Sequence, residues 1–259
     1  MANFIKSKKQ IEGIRKSCQG LAVIFAHLEQ MVAPGVTTLQ LEEEACRLIA
    51  EQGGRPAFKG YKTHKRAIPF PSALCISINE EIVHGPAVPS RPLLEGDIVG
   101  IDAGMELGGY YSDMARTFAV GKISATAQKL MSVTERALEL GIEQMRPGKT
   151  LDDVGKAIQK WVESQGFGVV RELVGHGVGL GVHEDPQIPH YAIKESGLPN
   201  VRIEAGMVLA LEPMVTEGDW HIDIGANGFS FVTRDGKLAA HFENTILITP
   251  DGPEILTKI

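Results

Sequence analysis

The chain is poor in cysteine, in aromatic residues and in long apolar runs. Cys18, Cys46 and Cys75 are its only thiols, an odd number with no CxxC pair. That pattern argues against a disulfide framework and a structural zinc knuckle, and fits a reducing compartment. The longest early apolar run, Leu21 to Ala26, is too short for a signal segment or a membrane span, and it sits inside a helical pattern. No long basic run marks a nucleic-acid or membrane surface, and the net charge of −6 reads as solubility. These absences lead to the expectation of a soluble, cytoplasmic protein with no DNA or membrane partner, and nothing requires more than a monomer. What is present is ordinary for a folded domain: 259 residues, 43% hydrophobic and 22% charged.

Ile11, Ile14, Cys18, Leu21, Phe25 and Leu28 recur at steps of three and four, the period of an amphipathic helix that stops before Pro34-Gly35. A second helix carries Leu41, Ala45 and Leu48 and ends at Gly53-Gly54. Short strands follow at Ala73–Asn79 and Glu81–His84. Asp97–Leu107 and Tyr110–Val120 then read as a hairpin around Gly108-Gly109. Helical periodicity returns with Leu130, Val133, Ala137 and Leu140, then with Leu151, Val154, Ile158 and Trp161. A last hairpin is expected at Asp251-Gly252.

An internal repeat lies in this pattern. Gln52-Gly53 closes a helix opened by Pro34-Gly35, and Gln165-Gly166 closes one opened by Pro147-Gly148 at the same spacing. The expectation is one catalytic domain spanning residues 1–259, with similar halves of about 1–122 and 123–259 and a site between them.

The informative residues are acids in strands that otherwise call for burial. Asp102 follows Ile98-Val99-Gly100-Ile101, Glu212 follows the all-apolar run Met207–Leu211, and Glu243 precedes Thr245-Ile246-Leu247-Ile248. A carboxylate there is costly unless it is paired or metal-bound. With the hairpin turning on Gly108-Gly109, Asp102 faces Ala115 and Asp113 becomes its diagonal neighbour on the same face, roughly 7–8 Å away at Cα. Two carboxylates at that reach can share metal ions about 3.5–4 Å apart. Glycine alternates through Gly175-His176-Gly177-Val178-Gly179-Leu180-Gly181-Val182-His183. No Lys-Ser/Thr follows, so this is not a phosphate loop. In an extended segment His176 and His183 would point to opposite faces, which suggests one ligand and one substrate contact. One histidine with four carboxylates is a mostly hard ligand set, suited to Co, Mn, Fe(II) or Zn. It is too acid-rich for a mononuclear iron oxygenase.

The order and spacing of these segments resemble a known family along nearly the whole chain. The motifs are Ser77-Ile78-Asn79-Glu80-Glu81-Ile82-Val83-His84-Gly85, Gly96-Asp97-Ile98-Val99-Gly100-Ile101-Asp102, Ser112-Asp113, Gly175-His176-Gly177-Val178-Gly179, His183-Glu184-Asp185-Pro186, Leu211-Glu212-Pro213 and Glu243-Asn244-Thr245. Together they resemble the type I methionine aminopeptidases. The resemblance implies the pita-bread fold, an α/β (α+β) arrangement of pseudo-two-fold halves with an antiparallel sheet covered by helices. It implies two divalent metal ions held by Asp102, Asp113, His176, Glu212 and Glu243. It also implies catalytic roles for His84, His183 and Glu212, with His84 and His183 contacting the substrate, and removal of the initiator methionine from nascent chains when the next residue is small. By the same resemblance the methionine pocket is walled by Tyr61, Phe70, Cys75 and Phe229. The chain departs from the family pattern at Thr63 to Pro69, where His64-Lys65-Arg66 is inserted, and at Val182, where an aromatic residue is common. The basic stretch Lys62 to Arg66 reads as a solvated loop, with ribosome contact as its functional alternative. A proline-directed aminopeptidase or prolidase, or a non-catalytic binding protein, could share the fold.

Overall fold

The computed structural model describes residues 4–62, 64–65 and 67–258. Two helix pairs cover an antiparallel sheet. The first pair is α1 (Lys8–Met31) and α2 (Thr38–Glu51), and the second is α3 (Ala125–Gln144) and α4 (Leu151–Ser164). The repeat seen in the sequence is repeated in backbone detail. Gly35 and Gly148 take φ of +89° and +92°, and Gly53 and Gly166 take +75° and +86°, values that suit a residue without Cβ. Thr37 and Thr150 are the N-caps of α2 and α4. The Thr37 N–H donates to Gln40 and the Thr150 N–H to Asp153, each three residues on. Each opening turn is also clipped from outside: the Gly35 N–H donates to the Leu93 carbonyl at 2.8 Å, and the Gly148 N–H to that of Ile203 at 3.1 Å.

The strands in chain order are β1 (Arg55–Pro56), β2 (Leu74–Ile78), β3 (Glu81–Val83), β4 (Ile98–Leu107), β5 (Tyr110–Ala119), β6 (Gly168–Val169), β7 (Gly175–Gly177), β8 (Glu184–Ile188), β9 (Val208–Leu211), β10 (Met214–Thr216), β11 (Ile222–Ile224), β12 (Phe231–Thr233), β13 (Ala239–His241), β14 (Glu243–Thr249) and β15 (Gly252–Ile255). The main sheet runs β1-β4-β5-β14-β9-β7-β8, with β2 on β4 and β15 on β14. Two smaller sheets, β13-β10-β6 and β11-β12-β3, stand beside it. The pita-bread α/β expectation is borne out.

The central hairpin has the expected parity. Leu107 pairs with Tyr110, Asp102 with Ala115 and Gly104 with Asp113. Gly108 and Gly109 both have positive φ, as a two-residue primed turn requires. The last hairpin differs slightly. Thr249 pairs with Gly252, so Pro250-Asp251 makes the turn and Gly252 already belongs to the returning strand.

Apolar side chains of α1 and α2, including Leu21, Phe25, Leu41 and Ile49, bury against Val99, Ile101 and Met114 of the first half. Leu130, Ala137, Val154 and Ile158 of α3 and α4 bury against Leu209, Leu211 and Ile246 of the second. The seam between halves is β5 against β14. Thr245 Oγ1 spans it, accepting the Asp113 N–H at 3.1 Å and donating to the Asp113 carbonyl at 2.7 Å. No helix among the described residues is long and apolar enough to cross a membrane.

Candidate metal centre

Sheet register places the five predicted ligands on one face. Paired residues on neighbouring strands share a face, and so do residues two apart on one strand. Asp102 pairs with Ala115, and Ala115 with Glu243. Asp113 lies two residues before Ala115. Thr245, two after Glu243, pairs with Ala210, and Ala210 pairs with His176. Glu212 lies two beyond Ala210. Cys75 joins the same row opposite Asp102. The alternate residues, such as Ile101, Met114 and Leu209, point the other way and are buried under the helices.

Side chains meet as the register requires. Donor atoms of Asp102, Asp113 and Glu243 lie within 4.8 Å of one another, as do those of His176, Glu212 and Glu243, and those of Asp113, His176 and His183. His176 Nε2 is 3.3 Å from Glu212 Oε1 and 3.8 Å from Asp113 Oδ2. These approaches are not ion pairs, because burial presses the His176 pKa down to about 3 and leaves the ring neutral. His176 Nδ1 lies 2.9 Å from the Gly177 carbonyl, which can only accept. The proton therefore sits on Nδ1, and Nε2 presents its lone pair to the carboxylates.

The carboxylates suit a divalent cation. Burial, reinforced by the neighbouring acids, raises Asp113 and Glu243 well above the usual carboxylate range. Burial does the same to Glu212 and lifts Asp102 to about 7. Asp102 Oδ1 and Glu243 Oε1 are buried without a hydrogen-bond partner among the described residues. Four desolvated carboxylates converging with a neutral imidazole lone pair make an electrostatic debt that positive charge at their centre would offset.

This face floors a cavity of about 860 Å³. Tyr61, Phe70, Cys75 and Phe229, the predicted methionine-pocket residues, all line it, together with His84 and His183. Phe70 and Phe229 meet edge to face at 5.7 Å between ring centres, and Tyr61 meets His183 at 5.0 Å. Gly104, opposite Asp113, leaves room for the wall. A Cβ there would lie 2.8 Å from the Phe58 ring and 2.9 Å from Ala57 Cβ. Val182 is buried in one apolar cluster with Phe58 and Cys75.

One expectation needs correction. The glycine-rich segment is not extended from His176 to His183. It turns after Gly177 and returns as β8, with Gly177 opposite Glu184. The two histidines therefore meet, their ring centres 4.6 Å apart. The glycines serve this close return, since a Cβ on Gly177 would lie 2.3 Å from the Asp185 carbonyl oxygen. His84 follows β3 with φ of +60°, a left-handed conformation uncommon for a residue with a side chain, and stacks edge-on against Phe231 at 5.5 Å. Burial lowers its pKa to about 4.

Sequence reasoning missed two buried histidines behind the site. His241 Nε2 lies 3.6 Å from Glu212 Oε2, and a Cβ on Gly175 would lie 3.3 Å from His190 Nε2. His241 stands two residues before Glu243, the one signal that could have found it. Of the basic stretch, His64 and Lys65 are exposed, while Thr63 and Arg66 lie outside the described residues.

A curled antiparallel sheet under paired helices, with four carboxylates and a histidine on one face, defines a metal-dependent hydrolase of the pita-bread class. Residues 12–250 match the model of metallopeptidase family M24, and the chain belongs to that family. It is 44% identical to methionine aminopeptidase 1 of Bacillus subtilis over 98% of both chains. A solved methionine aminopeptidase from Thermotoga maritima shares 42% identity, with a TM-score of 0.92 and full coverage of both chains. A prolidase from Pyrococcus furiosus shares the fold alone: 24% identity and a TM-score of 0.75, with 99% of this chain and 66% of that one covered. As a member of this family the chain binds divalent metal.

Proposed function

We propose that the chain is a methionyl aminopeptidase that removes the N-terminal methionine of nascent proteins whose second residue is small. The carrying observation is the convergence of Asp102, Asp113, His176, Glu212 and Glu243 on one face, under an aromatic and sulfur-lined cavity. The names and near-full coverage of the relatives support the same reading. The whole of residues 1–259 serves as one catalytic domain, with Asp102 and Asp113 from the first half and His176, Glu212 and Glu243 from the second.

In this reading the five residues hold two divalent ions, whose four carboxylate charges balance the ions' four positive charges. When bound, such ions would acidify a water and polarise the scissile carbonyl. Glu212 stands beside His176 and Glu243. Its carboxylate takes the proton from the attacking water and passes it to the departing amine. Partial burial lowers the His183 pKa, which favours the neutral ring, whose N–H can donate to the carbonyl oxygen as negative charge develops there. His84, also neutral, faces the scissile amide nitrogen. Tyr61, Phe70, Cys75 and Phe229 enclose the methionine side chain, their soft and aromatic surfaces matching a thioether.

The metal is Co, Mn, Fe(II) or Zn. The protein acts as a cytoplasmic monomer, close to the ribosome if it meets chains as they emerge. The test is hydrolysis of Met-Ala-Ser and Ala-Pro-Ala by metal-depleted protein, with one metal restored at a time. Cleavage of the first alone supports the proposal. Preference for the second supports a prolidase, and no metal uptake under any loading supports a non-catalytic binding protein.

A further inference from the structure

The loop that carries His183 is anchored by a residue 178 positions away from Glu184 in sequence. Lys6 lies just before Ser7, the N-cap of α1. Its backbone N–H donates to the Gly206 carbonyl at 2.8 Å, and the Gly206 N–H donates to that of Ile248. This fixes Lys6 beside the end of β14. Its side chain is buried, and its Nζ forms an ion pair and hydrogen bond with Glu184 Oε2.

Glu184 uses its other oxygen on its own loop. Oε1 accepts the Leu180 N–H at 2.5 Å and the Gly181 N–H at 3.0 Å. The carboxylate thereby closes the turn 180–184, with His183 inside it. At the other end the Tyr111 N–H donates to the Gly179 carbonyl at 2.9 Å. Gly179 (φ +130°) rests on α1, where a Cβ would lie 2.4 Å from Ile14 Cδ1 and 3.6 Å from Lys6 Cε. The His183 ring is exposed on one side and has His176 and Tyr61 as ring neighbours. Its place thus depends on the backbone of its loop, and that backbone is held by Glu184 and, through Glu184, by Lys6.

We propose that Lys6 is a positioning residue for catalysis: through Glu184 it holds the 180–184 turn so that His183 faces the scissile peptide. This rests on the reading of His183 as a substrate contact. A displacement of about 1 Å in such a group can lower turnover about 100-fold without touching the reacting atoms. Lys6→Met keeps the length of the apolar stem and removes the charge, whereas Lys6→Arg restores a donor to the carboxylate.

The experiment compares four proteins: Lys6→Met, Lys6→Arg, His183→Ala and the double variant Lys6→Met/His183→Ala. Each is assayed on a methionyl tripeptide with thermal midpoint and metal content measured alongside. Lys6→Met is expected to lose about 10- to 100-fold in kcat at temperatures well below its thermal midpoint, with little change in KM or metal content; the midpoint itself falls, because the Glu184 carboxylate loses its buried partner. Lys6→Arg is expected to recover most of that loss. In the double variant the two losses are expected not to multiply, because Lys6 acts through His183. Amide hydrogen exchange across residues 179–184 is expected to quicken in Lys6→Met. Normal turnover of Lys6→Met, losses that multiply, or a loss that follows the thermal midpoint would each overturn the proposal. Normal turnover of His183→Ala would overturn the reading of His183 and the catalytic role of Lys6 with it. The exchange data would then report separately whether the tether exists.

Discussion

Removing the cation should change stability in a way that depends on pH, and Asp102→Asn isolates the effect. Folding holds the Asp102 pKa at about 7 against an ordinary 3.8, chiefly by desolvation. Because the folded value is the higher one, the favourable contribution is complete below about pH 4 and is lost as pH rises through 7. About three pH units at 1.36 kcal/mol each set a ceiling of about 4 kcal/mol on the penalty at pH 8 in chelated protein. The amide of the asparagine variant would carry no such charge. Chelated Asp102→Asn should therefore be more stable than the unsubstituted chelated protein at pH 8 and no more stable at pH 4. Cation addition reverses the order. A single ion at 100 times its dissociation constant stabilises by about 2.7 kcal/mol, which is roughly 5–11 °C in thermal midpoint for a chain of this size. The unsubstituted protein should gain more from cation at pH 8 than at pH 5, where protons compete for the same oxygens. Scanning calorimetry on chelated and Mn- or Co-loaded samples at pH 4, 5 and 8 measures all of this. An equal cation gain in Asp102→Asn, or a gain that shrinks from pH 5 to 8, would refute the assignment.

Glu212→Gln should retain bound metal and lose about 10²–10⁴-fold in kcat, the range that positioned proton transfer supplies; near-normal turnover with full metal content would remove its role as proton carrier. Glu42, a buried carboxylate of α2, accepts the Ala73 N–H at 2.7 and 3.0 Å and the Leu74 N–H at 2.9 Å, fixing the start of β2 just before Cys75. Glu42→Ala strands both donors, so a loss of about 3–5 kcal/mol is expected by urea denaturation, and one below about 1 kcal/mol would contradict it. Gly155→Ala should destabilise α4 although alanine is the better helix former by about 1 kcal/mol. Its Cβ would lie 2.2 Å from the Tyr191 carbonyl oxygen, and a raised thermal midpoint would show that the contact yields.

The legibility of this site in the sequence followed contact range. Asp102 and Asp113 are joined by a two-residue turn, and counting back from Gly108-Gly109 put them on one face, where they are. The helix pairs were legible for the same reason, since caps, glycines and apolar period all act within a few residues. The glycine-rich segment misled because alternation of glycine looks like a strand. Its actual cause is close backbone return at Gly177, a contact with Asp185 that periodicity does not encode. Glu212 and Glu243 stood out as acids beside apolar runs, but nothing local says that they meet Asp102.

That meeting depends on the β5–β14–β9 register, and the register has its own physical cause. Thr245 bonds both backbone groups of Asp113 across the seam, and Thr117 Oγ1 donates to the His241 carbonyl at 2.8 Å while accepting the His241 N–H at 3.0 Å. Two threonines thus fix the two halves at both ends of the Ala115–Glu243 pairing. A slip of one residue would carry Glu243 to the helix face and bring Asn244 to the cavity. It would also bury a charge under α3, a cost that disfavours the slipped pairing strongly. The acids that the chemistry requires therefore also select the register that assembles them, and the two threonines hold the seam at which the halves meet.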